Sequence, residues 1–284
     1  MKGFRNMKDV TDDMIGIINH MDSYFRDEAF KNREKLLWEN TYIKRQIDRR
    51  EHDEPFSIND HIRAMMYSFL SARGKWMKFE PYMDIETGKI PVIDDILCQY
   101  EPQVLLHLTP QPLYNDIQQQ VSGTPDLLRQ LHALVEVNIP KLQGLEKDYG
   151  SIDAYYKTFE EKDPTLKGLV RALADSKSKD KIKQMDVALI SEYLRNVGYD
   201  IPKPDRHVKR ILGSERLGLS KKEEAGDYEV FDIIAEMARR TGRSSAEVDY
   251  ILWSYCATDY GAICTKVNPK CDVCIVKNYC NMKK

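Results

Sequence analysis

The chain has 284 residues, 31% of them charged, with 43 Lys and Arg against 45 Asp and Glu and a formal net charge of -2. That length allows one large domain or two medium ones with real cores. The near-balance of charge means that any nucleic-acid footprint must come from how the basic residues are distributed. No stretch reaches the roughly 18 uncharged apolar residues of a membrane span, and MKGFRNMKDV has no apolar run of signal-peptide length, so a cytoplasmic protein without a membrane partner is expected.

Residues 1–55 are charged and helical in pattern, and Met14, Ile17, Ile18, Met21 and Phe25 form one apolar stripe that should dock on a body. Ser57, with Asp60 three residues on and an apolar run following, reads as a capping-box variant that starts a helix through Ile62 to Leu70. Between Met83 and Gln120 the pattern is broken by Gly88, Pro91, Pro102, Pro110 and Pro112, which predicts short helices joined by irregular loops. Apolar residues recur at three- and four-residue steps from Leu127 to Val137, Ala188 to Val197 and Val230 to Ala238, and Ser151 can cap the segment beginning SIDAYY. Strand-like alternation is almost absent. The fold class is therefore all-α.

Lysines alternate from Lys177 to Lys183, and between Lys203 and Lys222 basic residues outnumber Asp205 and Glu215. Such runs are either solvated helical faces or phosphate footprints. Six cysteines in a cytosolic chain point to metal or redox chemistry more than to disulfides. Cys98 and Cys256 stand alone and read as small buried apolar side chains. Cys264, Cys271, Cys274 and Cys280 have the spacing C-x6-C-x2-C-x5-C, which lets four thiolates of one compact loop converge on an inorganic centre. Iron-sulfur clusters and structural zinc both accept four thiolates.

That spacing at the C-terminal end resembles the cluster loop of the endonuclease III and adenine-mismatch glycosylase branch of the helix-hairpin-helix DNA glycosylases. The resemblance implies a [4Fe-4S] cluster on the four cysteines. It makes Lys266, Lys270 and Lys277 candidates for DNA phosphate contacts, the alternative being simple solubility. The stretch from Ile182 to Arg210 resembles the family's hairpin, helix and aspartate-bearing turn. Gln184, Met185 and Asp186 stand at the family's G-h-G core, so both glycines are missing, and Ala188 stands where bifunctional relatives carry the Schiff-base lysine. Imine-based strand cleavage is therefore not expected.

Asp205, His207 and Arg210 fit the family's D-x-H-x-x-R pattern. The resemblance makes Asp205 the carboxylate that stabilises positive charge on deoxyribose and orients or deprotonates the attacking water. Taken by itself, Asp205 after Pro204 could simply cap a helix. His207 is read as active-site support and Arg210 as a structural or phosphate contact. Upstream, DHIRAMMYSFLSARGKW resembles the helix and turn whose glutamine enters the gap left by an extruded nucleotide. Arg73 replaces that glutamine and can stack or donate hydrogen bonds. Tyr67 and Trp76 either wall a base pocket by stacking or belong to the core.

The family fold has two helical lobes with a DNA cleft between them. The expected division is an N-terminal helical segment, 1–56, packing with the C-terminal lobe; a barrel-like lobe with the degenerate hairpin, 57–200; and a lobe with the aspartate and cluster, 201–284. The function implied is a monomeric, monofunctional glycosylase acting on double-stranded DNA, nucleoid-associated in a prokaryote, that flips out a modified or damaged base and leaves an abasic site. Two readings compete: a noncatalytic DNA-binding iron-sulfur protein derived from a glycosylase, suggested by the missing glycines and lysine, and a zinc-stabilised interaction module.

Overall fold

A computed structural model of the chain describes residues 7–72, 76–121 and 124–282. Among them the regular structure is entirely helical, with no strand, and no helix is long and apolar enough to cross a membrane. The chain folds into two compact units, Asn40–Tyr199 and the pair Met1–Glu39 with Asp200–Lys284.

The Asn40–Tyr199 unit is built around the helix Ile58–Ser71. Its start is fixed by the capping box: the Ser57 hydroxyl accepts from Asp60 N at 3.2 Å, and the Asp60 carboxylate accepts from Ser57 N at 3.1 Å. Every residue from His61 to Leu70 is buried, as befits a central helix packed on all sides. Its most extensive neighbour is the helix Val187–Asn196. The proline-broken region resolves into Pro91–Ile96, Pro102–Leu105 and Pro110–Gln120, each with proline in its first turn, where the fixed φ is favourable and the missing N–H costs nothing. Between the first two, Cys98, Gln99 and Tyr100 all have positive φ (49°, 52° and 62°), a left-handed turn that side-chain-bearing residues resist. It is held by the Tyr100 hydroxyl, which donates to Asp94 at 2.8 Å, and by Asn59, whose amide donates to Gln99 O at 3.3 Å. Cys98, expected to be buried, is half-buried on this turn, whereas Cys256 is fully buried.

Tyr42–Glu51, grouped in sequence with residues 1–56, belongs to this unit, so the division falls at 39/40. The reason is Arg50, whose guanidinium donates to Val197 O at 2.9 and 2.6 Å and to Asp153 Oδ1 at 2.9 Å. Gly198 makes that approach feasible: its φ is +83°, and a Cβ there would stand 2.4 Å from Gln46 O. In the same unit lies a buried polar network. His61 Nδ1 is 2.6 Å from the Tyr193 hydroxyl, which is 2.9 Å from that of Tyr156, and His61 Nε2 is 3.6 Å from Asp153.

In the other unit, the helix Met7–Tyr24 packs its stripe of Met14, Ile17, Ile18 and Met21, all buried, on the helices Asp227–Thr241 and Ser245–Cys256. Each such side chain contributes on the order of 1.5–3 kcal/mol relative to exposure. Both oxygens of Asp200 accept from the start of Ser245–Cys256, at 3.1 Å from Ser245 N and 2.7 Å from Ala246 N.

Candidate functional site

The helix Ser245–Cys256 leads directly into the cysteine segment. Its C-terminus is tied to that segment by Ile263 N and Cys264 N, which donate to Tyr255 O at 3.0 and 3.2 Å. The segment closes on Asn281, whose backbone N donates to Arg216 O at 2.7 Å and whose side chain donates to Ser214 O at 3.0 Å. Gly218, with φ +69°, is required there, because a Cβ would stand 2.3 Å from the Asn281 amide.

Cys264, Cys274 and Cys280 line a small cavity with Ile211, Arg216, Leu217, Tyr255 and Val276. Cys271 is not part of that wall, and its sulfur lies 3.9 Å from Met282 Sδ. Among the described residues, no three His, Cys, Asp or Glu side chains meet closely enough to hold a single metal ion. Three cysteines of the segment thus face one cavity, and four thiolates of such a segment can hold a polynuclear iron centre that takes one thiolate on each iron.

The electrostatics agree with such an occupant. Arg216 is 8% exposed and lines the cavity, and its guanidinium lies beside the Cys264 thiol. The neighbouring Cys256 thiol, with the Arg216 and Arg210 guanidiniums, outweighs burial and brings the Cys264 thiol down to about 7, whereas burial pushes Cys274 and Cys280 up. Thiolate-bound iron supplies the charge that this wall complements, and the donor set therefore fits an iron-sulfur cluster.

Asp205 stands at the N-cap of the short helix Arg206–Leu212. Its Oδ1 accepts from His207 N at 2.7 Å and Val208 N at 3.0 Å, and among the described residues no donor reaches Oδ2. Capping and chemistry are thus not alternatives here, since one oxygen positions the carboxylate and the other is available. Arg210 Nη2 donates to Cys264 O at 3.0 Å and lies 3.2 Å from His207 Nδ1. Because arginine can only donate, Nδ1 is the acceptor and the histidine proton sits on Nε2. Burial, then the positive Arg210, push His207 below its ordinary range, opposed by Asp205. A connected path therefore runs from the Asp205–His207 turn through Arg210 to the first cysteine of the cluster segment.

Residues 264–280 match the family model of the iron-sulfur binding domain of endonuclease III. No curated protein matches the chain. Among solved structures, the Methanocaldococcus jannaschii 8-oxoguanine glycosylase/lyase in complex with DNA containing 8-oxoguanine is 17% identical, covering 84% of this chain and 96% of that one, with a TM-score of 0.52. The 8-oxoguanine DNA glycosylase of Thermotoga maritima is 18% identical over 85% and 96%, TM-score 0.52, and endonuclease III in a non-covalent DNA complex is 13% identical over 96% and 95%, TM-score 0.52. The chain has the helix-hairpin-helix DNA glycosylase fold, with a C-terminal iron-sulfur motif.

The segment that the sequence reads as a degenerate hairpin is held by contacts of its own. Gln184 has φ +62°, a conformation that glycine would adopt without strain. Asn138, fully buried in a π-helical turn (Leu134–Asn138), grips Lys183 at both ends: its oxygen accepts from Lys183 N at 2.8 Å and its amide donates to Lys183 O at 3.1 Å. The Lys181 ammonium donates to Ala174 O at 2.7 Å and to Met185 O, and Ile182 N donates to Leu173 O at 2.9 Å. Asp186, which would repel a phosphate if aimed at one, instead caps Val187–Asn196 by accepting from Leu189 N at 2.9 Å. Ala188 is half-buried in the first turn of that helix.

Three residues read as DNA or base contacts are placed otherwise. Tyr67 is 1% exposed, and its hydroxyl donates to Asp94 at 2.8 Å while accepting from Ile90 N at 2.7 Å, so it is core and no wall for a base. Met185 is 1% exposed beneath the hairpin. Arg210 spends its guanidinium inside the protein and is structural. Arg73 and the side chain of Trp76 lie outside the described residues. Sequence reasoning missed Asn138, Lys181, Arg216 and Tyr255. Their partners are backbone groups or sulfurs fixed only by folding, and no local pattern marks them.

Proposed function

We propose that the chain is a DNA N-glycosylase that takes a modified or damaged base out of double-stranded DNA and hydrolyses its glycosidic bond, leaving an abasic site. The observation that carries this reading is Asp205, whose Oδ1 is held by two backbone N–H bonds while, among the described residues, no donor reaches Oδ2, in a chain with a glycosylase fold. A fixed carboxylate stabilises the positive charge that grows on the sugar as the base departs, and it orients or deprotonates the water that attacks C1′. The flipped nucleotide brings the reacting carbon to it. Ala188 supports hydrolysis without a lysine imine, because its side chain offers no amine to the sugar.

Cys264, Cys271, Cys274 and Cys280 are the proposed ligands of a [4Fe-4S] cluster. The cluster's part is structural: it closes the C-terminal segment against the helix that bears Tyr255, and through Arg210 it steadies the turn that presents Asp205. The hairpin, braced by Asn138 and Lys181, is the proposed phosphate clamp, and the enzyme acts as a monomer where the chromosome is.

The test is single-turnover reaction with duplexes that each carry one modified base, with and without alkali. Two of the structural relatives are named for 8-oxoguanine, which makes that duplex the first to try. Breaks that appear only after alkali establish base release without strand cleavage, and breaks without alkali would show that another amine acts as a lyase. The noncatalytic reading predicts brown protein that binds duplex but releases no base from any member of a broad panel.

A further inference from the structure

The tyrosine in the last turn of the helix Ser245–Cys256 does more than pack. Tyr255 is 0% exposed, and its ring is held edge-on by Tyr24 and Phe25 at centroid distances of 5.7 and 6.2 Å. Its hydroxyl has two partners. It accepts from Ile275 N at 3.2 Å and donates to Cys274 Sγ at 3.3 Å, on the wall of the cavity that the cysteines line. A buried phenol could have been satisfied by a backbone carbonyl. Here the backbone takes the acceptor side, and the O–H is left pointing at sulfur.

Hydrogen bonds to the sulfurs of an iron-sulfur cluster stabilise its electron-rich state and raise its reduction potential. Burial strengthens the effect, since a bond in a low-dielectric site is worth more than one in water. We propose that Tyr255 is a positioning residue for the cluster that makes it easier to reduce, by donating the hydrogen bond of its hydroxyl to the ligand Cys274. The inference rests on the iron-sulfur reading of the four cysteines. With a cluster bound, an electron supplied by an external one-electron donor or an electrode would place more charge on Cys274 Sγ and strengthen the bond from the Tyr255 hydroxyl, with no proton transferred. By reciprocity, reduction then fastens the segment around Ile275 more firmly to the helix, and oxidation loosens it.

The experiment compares purified full-length wild type with Tyr255→Phe, each first assayed for iron, sulfide and visible absorbance, and then for midpoint potential by voltammetry on an electrode. The variant keeps the ring and loses only the O–H. The expected result is a full iron complement in both and a midpoint shifted negative in Tyr255→Phe. A second measurement keeps the ring and its O–H in place: 3-fluorotyrosine supplied in place of tyrosine gives a more acidic phenol, a stronger donor, and should shift the wild-type midpoint positive. Of the 16 tyrosines, only Tyr255 lines the cavity among the described residues, so fluorotyrosine should leave the Tyr255→Phe midpoint where it was. If Tyr255→Phe fails to hold its cluster, the fluorotyrosine result on wild type decides. Brown protein whose midpoint ignores both changes would overturn the role of Tyr255, whereas colourless wild type without iron would overturn the cluster reading itself.

Discussion

Replacing Asp205 by asparagine and by alanine separates what the carboxylate does for the helix from what it does for the reaction. Oδ1 accepts two backbone N–H bonds, at 2.7 and 3.0 Å. Asparagine keeps a carbonyl oxygen in that place and ranks with aspartate as an N-cap, so Asp205→Asn should lose only the favourable charge at the helix start, about 0.3–1 kcal/mol. Alanine deletes the cap and should cost about 0.5–2 kcal/mol. The reaction should respond differently. A carboxylate that stabilises the sugar cation or takes the proton of water contributes about 10²–10⁴ in rate, roughly 3–5 kcal/mol of barrier, and neither substitution retains it. Denaturant unfolding should therefore rank wild type close to Asp205→Asn and above Asp205→Ala, while single-turnover base release should fall alike in both variants. The refuting result is an asparagine variant that folds as well as wild type and releases base within a few-fold of its rate. In that case Asp205 is a cap and the chemistry lies elsewhere.

Asn138→Ala removes both grips on Lys183. It should cost about 1–3 kcal/mol and speed amide exchange over residues 181–187, and it should weaken duplex binding by fluorescence anisotropy, with visible absorbance unchanged. Asp153 is opposed by burial, but His61 and Arg50 outweigh it and hold its carboxyl below the ordinary range. Its contribution to stability is then fully present above the unfolded value near 3.9 and is lost as pH falls through the lower folded value. Acid titrations of stability should show that loss in wild type and a flatter profile in Asp153→Asn, and equal slopes would refute the coupling. Removing iron with a chelator under reducing conditions should bleach the protein and raise protease sensitivity over residues 264–282, with far-ultraviolet ellipticity mostly retained, because the helices have cores of their own.

Much of the architecture is legible in residue order because its causes are local. The capping box at Ser57 and Asp60, the Ser151 cap, the apolar stripe of the first helix and the proline-led short helices between residues 91 and 120 each depend on neighbours within a turn or two. The cysteine spacing is equally local, since all four cysteines of the motif lie within 264–280. Periodicity, by contrast, says that a residue is on an apolar face without saying what it meets there. That is why Tyr67 could be read as a pocket wall and turned out to bridge Ile90 and Asp94, and why Arg210 could be read as a phosphate contact and turned out to hold Cys264.

The sequence by itself determined that this is an all-helical chain with a thiolate site at its C-terminal end and an aspartate at the mouth of a helix, because helix periods, caps and ligand spacings are encoded over a few residues. Tertiary structure alone decided that the segment around Gln184 is braced at Lys183 by an asparagine 45 positions away. It alone decided that Asp205 caps with one oxygen and keeps the other, and that Tyr255 and Arg216 face the cysteines. Those facts depend on which buried donor finds which acceptor, and satisfying buried polar groups is a property of the folded whole.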